Sequence, residues 1–246
     1  MDIQRELIRL KFLPAGSDDG GYGPATSQAV ASWQFTRWLD ADGIFGSTSQ
    51  GMMFPPQGAV FGVDFSWFQP NGKFLANRGV NFVGNYLWKA EGNKGISRAE
   101  YDDFKANNID VFFFYETYSE DSMALGYDKG VEHAKSAQRF LDELGLPDAV
   151  VHFNVDHDAV LSQREAILDG CRGAASVIGL DRVGLYGEYD VIKWAFDANV
   201  ISYACQTYAW SNGKWDPRAT TRQWSNGQWA DQVDFQWAMT KDFGQK

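Results

Sequence analysis

The fold turns on one stretch, Ala149-Val150-Val151-His152-Phe153-Asn154-Val155-Asp156-His157-Asp158. Successive side chains of a strand point to opposite faces. Val151, Phe153 and Val155 therefore share one face, and His152, Asn154, Asp156 and Asp158 share the other. An apolar face against helices and a second face ending in acids suit a barrel strand, whose chemistry gathers at its C-terminal tip. Working outward, similar short apolar runs occur at Val60–Ser66, Phe82–Leu87, Asp110–Glu116, Arg182–Glu188, Tyr203–Tyr208, Thr221–Trp224 and Val233–Trp237. Helical stretches fit between them, most clearly at Arg98–Asn107, Asp121–Leu144, Ser162–Ile178 and Val191–Asn199. This alternation predicts an α/β chain with a (β/α)8-like barrel. The last two units are too short for full helices, so the expectation is a shortened barrel.

The first 54 residues read differently. Asp19-Gly20-Gly21-Tyr22-Gly23-Pro24-Ala25-Thr26 is echoed 23 residues later by Asp42-Gly43-Ile44-Phe45-Gly46-Ser47-Thr48-Ser49. Each copy is a tight turn that needs Gly, followed by a helix start with a hydroxyl residue near its first turn. Ala29, Val30, Trp33 and Gln34 then follow helical spacing. The segment predicts a small all-α three-helix domain. Met53-Phe54-Pro55-Pro56-Gln57-Gly58 stops the last helix and opens a connector. The expected division is 1–54 as the helical domain, 55–58 as linker and 59–246 as the barrel. Ile3-Gln4, the two Asp-Gly loops and Ala29-Val30-Ala31-Ser32-Trp33-Gln34 resemble the peptidoglycan-binding domain found as a helical repeat in bacterial and phage wall enzymes. That resemblance implies wall binding, with Trp33 standing where the family usually has Phe.

Of 246 residues, 44% are hydrophobic and 22% charged, an ordinary globular composition. The net charge is −10. An acidic chain without a basic cluster is a poor nucleic-acid binder and does not adhere non-specifically to anionic membranes or walls. Aromatic residues are abundant, with 10 Trp, 10 Tyr and 18 Phe. They suit either sugar stacking or a Trp-rich core. Met1 to Leu13 interleaves apolar residues with Arg5, Glu6, Arg9 and Lys11, an amphipathic helix rather than a signal peptide. The longest apolar run, Val111 to Tyr115, is far short of a membrane span. Cys171 and Cys205 make no Cys-x-x-Cys pair and are expected as buried free thiols.

Acids recur at the strand ends: Asp64 on the first, Glu116 on the third, Asp156 and Asp158 on the fourth, Glu188 on the fifth, with Asp234 opening the eighth. Gathering carboxyls at one mouth is costly through repulsion and desolvation. It is expected where one must hold a proton while another is ionised. Glycoside hydrolysis has that requirement: one carboxyl protonates the leaving oxygen and another stabilises or attacks the oxocarbenium-like centre. Trp67, Trp88, Trp210 and Trp224 fall at or just past strand ends, placed either to stack on sugar or to pack the rim. Glu188 is either a site residue or a helix cap. The three histidines are His133, His152 and His157; His152 and His157 lie five apart on one strand and face opposite ways, so they cannot share a metal and zinc chemistry is unsupported.

Phe61-Gly62-Val63-Asp64-Phe65-Ser66-Trp67, Tyr115-Glu116-Thr117, Phe153 through Asp158, Val183-Gly184-Leu185-Tyr186-Gly187 and Gln206-Thr207-Tyr208-Ala209-Trp210-Ser211 resemble the glycoside-hydrolase-like domain of phage lysins and actinobacterial secreted proteins. That group is similar in turn to family 25 lysozymes, which cleave the β-1,4 bond after N-acetylmuramic acid. Their pattern has an Asp on the first strand, Asp-x-Glu on a middle strand and a late Asp. It carries over to Asp64, Asp156, Asp158 and Asp234, with Asp158 one methylene shorter than the lysozymes' donor Glu. Glu116 follows Phe112 and Phe114 on one strand face and has the longer arm, so it is favoured over Asp158 as proton donor. The candidate catalytic set is Asp64, Glu116, Asp156, Asp158 and Asp234. The candidate sugar-binding set is Trp67, Tyr186, Glu188, Gln206, Trp210, Gln223 and Trp224. No cofactor and no metal is expected. The resemblance implies a monomeric phage-type endolysin. It would be made in the host cytoplasm, released by a holin-type route and directed to bacterial peptidoglycan, with neither nucleic acid nor membrane as partner. The rival reading is a non-catalytic wall-binding protein with a degenerate barrel, which Asp158 in place of Glu favours.

Overall fold

The computed structural model describes residues 3–66, 68–87, 95–116 and 122–246. The chain divides into two compact units, Met1–Pro56 with Gln228–Asp231, and Gln57–Gly227 with Gln232–Lys246.

Residues 3–54 carry α1 (Ile3–Arg9), α2 (Pro24–Thr36) and α3 (Ser47–Met53). Leu7, Val30 and Trp33 are buried in their shared core. The sequence repeat has a hydrogen-bonding cause. Gln4 Nε2 donates to Asp19 Oδ1 (2.8 Å), the Gly21 carbonyl (3.0 Å) and Thr26 Oγ1 (3.1 Å), while Gln4 Oε1 accepts from Gly20 N–H (2.8 Å). One repeat later, Gln34 Nε2 donates to Asp42 Oδ1, the Ile44 carbonyl and Ser49 Oγ, each at 3.0 Å, and Gln34 Oε1 accepts from Gly43 N–H (2.9 Å). Each buried Gln amide thus stitches one Asp-Gly loop to the hydroxyl of the next helix, leaving none of its polar atoms unmet. Gly43 has φ of +70°, and a Cβ there would lie 2.6 Å from Ser27 Oγ, so this turn requires glycine.

In the second unit, eight strands among the described residues close a barrel in chain order. They are β1 (Val60–Asp64), β2 (Phe82–Tyr86), β3 (Asp110–Tyr115), β4 (Val151–Asn154), β5 (Val183–Gly187), β6 (Tyr203–Thr207), β7 (Thr221–Gly227) and β8 (Val233–Ala238). α4 (Gly72–Ala76), α5 (Arg98–Ala106), α6 (Tyr127–Leu144), α7 (Arg164–Ile178) and α8 (Tyr189–Asp197) lie between strands, and the four-residue α9 (Gln228–Asp231) joins β7 to β8. All eight expected strands are present, and the final units lack full helices as expected. One feature departs from a regular (β/α)8 barrel. β1 through β7 run parallel, whereas β8 is antiparallel to both β7 and β1. A parallel return needs a crossover of a dozen or more residues, and the short β7–β8 connection permits only a hairpin.

Two boundaries also move. β4 ends at Asn154, so Asp156 and Asp158 lie beyond the ladder. The helix expected from Asp121 begins at Tyr127, because Met123–Leu125 is a separate 3-10 turn and Gly126 takes φ of +90°. α6 and α7 approach backbone to backbone. A Cβ on Gly130 would lie 1.9 Å from the Gly170 carbonyl oxygen, and one on Gly173 would lie 2.1 Å from that of Tyr127.

Rings fill the barrel interior. Phe82 covers Gly62, while Phe112 and Phe114 cover Gly84. With Tyr186, Cys205, Ala238 and Phe243, the three phenylalanines form one buried cluster. Cys171 and Cys205 are both buried and free. No helix among the described residues is long and apolar enough to cross a membrane.

Candidate active site

The position of Gly62 under the Phe82 ring shows which face of β1 points inward, and Asp64, two residues on, shares that face. Asp64 is 3% exposed. The reversal of β8 makes Asp64 and Asp234 direct register partners. Gln223 on β7 donates from Nε2 to Asp64 Oδ2 and to Asp234 Oδ2, 3.1 Å each. Gln236 Nε2 on β8 also donates to Asp64 Oδ2. Asp234 Oδ1 accepts from Gly227 N–H at 3.0 Å. Tyr186 O–H donates to Gln223 Oε1 at 2.9 Å, and the Cys205 thiol to Gln236 Oε1 at 3.5 Å.

The electrostatics follow from this packing. Burial, then the charge of Asp234, pushes the Asp64 carboxyl well above the usual range, against the pull of the two Gln amides and with Asp156 adding to the rise. Burial pushes Asp234 up to about 6, opposed by the Gly227 N–H and reinforced by Asp156. Burial raises the Tyr86 phenol, with further contributions from Glu116, Asp64 and Asp156. It raises the Tyr186 phenol as well, which also feels Asp156 and Asp64. Asp156 therefore acts on Asp64, Asp234, Tyr86 and Tyr186 alike, and stands among them at the mouth.

Of the five sequence-predicted acids, the structure brings Asp64, Asp156, Asp234 and Glu116 to one mouth. Asp158 is not among them. It is exposed in the loop past β4, and its charge bears on Glu188 instead. Glu188 itself is the N-cap of α8, accepting from Asp190 N–H (2.7 Å) and Val191 N–H (3.2 Å), which selects the capping role. Its carboxyl is raised, chiefly by burial.

The predicted sugar contacts divide similarly. Tyr186 and Gln223 face the acids. Gln206 lies on the opposite face of β6 from Cys205 and is fully buried. Its amide ties down the following loop through Ser211 Oγ (3.3 Å), the Lys214 carbonyl (2.8 Å) and Asp216 N–H (2.8 Å). Trp224 points away from Gln223 and stacks on Trp237 at 5.5 Å and 7°, beside Phe235. These rings, with Phe61, pack the outside of β7, β8 and β1, where no full-length helix follows β7. Trp210 is 42% exposed in the loop after β6. Trp67 and Trp88 lie outside the described residues.

Sequence reasoning missed Gln236, Cys205 and Tyr86. Period-two spacing from Asp234 and Phe82 would have placed Gln236 and Tyr86 inside. His152 also points inward, its ring 5.1 Å from that of Phe112, and burial depresses its pKa to about 4. Its place among rings makes it a core residue. Among the described residues, no group of three or more His, Cys, Asp or Glu side chains is arranged to hold a metal ion.

Residues 73–243 match the Rv2525c-like, glycoside hydrolase-like domain family. The chain belongs to that family. Residues 1–52 match the peptidoglycan binding domain family. The Rv2525c-like barrel resembles the Mycobacterium tuberculosis Tat-secreted protein Rv2525c, solved in complex with L-tartrate. The TM-score is 0.70 at 23% identity, over 76% of this chain and 98% of that one. It resembles the Clostridium perfringens spore cortex lytic enzyme SleM with a TM-score of 0.55 at 12% identity, over 74% of this chain and 68% of that one. These are likenesses of fold. An 89-residue segment is 32% identical to FadG of Bacillus subtilis strain 168, an uncharacterised protein. The match covers 35% of this chain and only 16% of FadG's length.

Proposed function

We propose that the protein is a peptidoglycan hydrolase of the endolysin kind, cleaving wall glycan at the β-1,4 bond between N-acetylmuramic acid and N-acetylglucosamine. One observation carries the reading. Asp64 and Asp234 are adjacent carboxyls with raised pKa, facing a third acid, Asp156, whose charge both feel. A pair that retains a proton beside an ionised carboxylate is what glycosidic cleavage requires. The Asp64–Asp234 pair gives its proton to the glycosidic oxygen as the C1–O bond breaks. Asp156 stabilises the positive charge that develops at the ring. Water then adds at C1, and its proton restores the pair. The proton source is thereby moved from Glu116, favoured on arm length, to the pair whose burial raises its pKa. Glu116 is left as a flanking acid beside Tyr86. The N-terminal unit holds the wall, and the chain reaches it from the host cytoplasm by a holin-type route.

Wall turbidity clearing with the appearance of new reducing ends tests the chemistry. A folded protein that clears nothing and frees no reducing ends leaves wall binding as its role. Pull-down with purified peptidoglycan, comparing the full chain with residues 57–246, tests the binding unit. Equal retention of both would remove the wall-binding role from residues 1–56.

A further inference from the structure

Two Gln amides and their own partners form a relay around the acid pair. A Gln side chain has one acceptor end and one donor end, and it can turn either toward a carboxyl. The orientation is set by the group on its far side. For Gln223 that group is the Tyr186 hydroxyl, donating to Oε1 at 2.9 Å. For Gln236 it is the Cys205 thiol, donating to Oε1 at 3.5 Å. Tyr186 and Cys205 both belong to the buried inner cluster. Burial raises the pKa of both groups, so each remains a protonated donor at neutral pH. Both amides are thereby held with Nε2 toward the acids.

We infer that Gln223 and Gln236 are positioning residues that direct the proton of Asp64 to Oδ1, while Gln223 holds Asp234 as the ionised partner. The geometry distinguishes the two carboxyls. Asp64 Oδ2 accepts from both amides, the pattern of a carbonyl oxygen, leaving Oδ1 as the hydroxyl end. Asp234 accepts at both oxygens, Oδ1 from Gly227 N–H and Oδ2 from Gln223, the pattern of an ionised carboxylate. Asp64 is also the more deeply buried of the two, and burial favours the neutral form. The titratable groups that interact with the pair are Asp156 beyond β4, Tyr86 on β2, Tyr186 on β5 and Cys205 on β6, and Glu116 beyond β3 acts on Tyr86. The inference deepens the hydrolase reading and rests on it only for its kinetic consequence.

The test is carboxyl titration by NMR on the full chain, labelled with 13C at Asp side-chain carboxyls and assigned with Asp64→Asn and Asp234→Asn. In the unsubstituted protein, the Asp234 signal should titrate with a midpoint of about 6 while Asp64 stays protonated. Gln223→Leu removes a donor to both carboxyls and should move the Asp234 midpoint up by about 1 in pH, the size expected of a charge-assisted hydrogen bond. Tyr186→Phe keeps the ring and deletes only the hydroxyl that orients Gln223. It should move the midpoint the same way by less, and it remains informative should Gln223→Leu fail to fold. An unmoved midpoint in folded Gln223→Leu, or in Tyr186→Phe where that is the folded variant, overturns the inference. So does an Asp64 carboxyl that ionises before Asp234. Where wall hydrolysis is present, either variant should lower kcat about 10-fold or more with little change in KM. Absence of hydrolysis in the unsubstituted protein would overturn the hydrolase reading, while the titration would still decide the clamp.

Discussion

Asp64 and Asp234 are register partners across the antiparallel β1–β8 pair, bridged by a single Gln223 amide that donates 3.1 Å to each. In an all-parallel barrel the start of the eighth strand lies at the floor, far from the tip of the first. The reversal of β8 carries Asp234 to the mouth and brings two carboxyls together in a buried setting. The consequences of that pairing can be measured.

Asp156→Asn should leave the fold intact, because the residue lies past the end of β4 and keeps its shape. Wall hydrolysis should fall about 100-fold or more, as expected when a charge aimed at the transition state is deleted. Reducing-end release, normalised to folded protein by circular dichroism, checks this. Activity like that of the unsubstituted protein would remove Asp156 from the mechanism.

Asp234→Asn should stabilise the protein at pH 8 and not at pH 4. The folded-state pKa of Asp234, about 6, exceeds the ordinary carboxylate value of 3.8. Between those values the folded state binds more protons than the unfolded state, so stability falls as pH rises. The cost is fully present at pH 8, and Asn removes it, for a gain of about 2 kcal/mol with activity lost. Denaturant melts at both pH values measure the difference. A gain that persists undiminished at pH 4 would contradict the assignment.

His152→Phe should blunt acid destabilisation. His152 is held neutral, with a folded pKa of about 4 against an ordinary 6.5. The unfolded state therefore takes up protons first, and stability drains as pH falls from 6.5 through 4. Phe cannot charge and suits the ring cluster around Phe112. The unfolding midpoint should drop less between pH 7 and pH 4.5 in the variant than in the unsubstituted protein, and an equal drop would rule out His152 as the cause.

Gly130→Ala tests the α6–α7 contact. Helix propensity alone predicts a gain of about 1 kcal/mol. A Cβ placed 1.9 Å from the Gly170 carbonyl must instead push the helices apart, and the net expectation is a loss of about 3 kcal/mol. Chemical denaturation of the full chain reads the sign.

Much of this was legible in the chain itself. Local rules act through neighbours, so alternation located all eight strands, and the repeated Asp-Gly loops marked a helical module. Period two also put Asp64 on the inward face of β1. The reversal of β8 was not read from the sequence, although the short connection after β7 is the local reason for it. Trp224, Gln206 and Glu188 could not be sorted in advance. A rim Trp and a packing Trp have the same local sequence, and a strand-end Glu becomes a cap only once its helix is in place.

The sequence by itself determined the element order, the inward alternation and the supply of acids, because these depend on residue type and spacing along one strand. Tertiary structure alone decided which acids meet and which hold a proton. Burial and Coulomb interaction act through space: Asp234 lies 170 residues from Asp64 and became its partner, while Asp158, two residues from Asp156, was left in solvent.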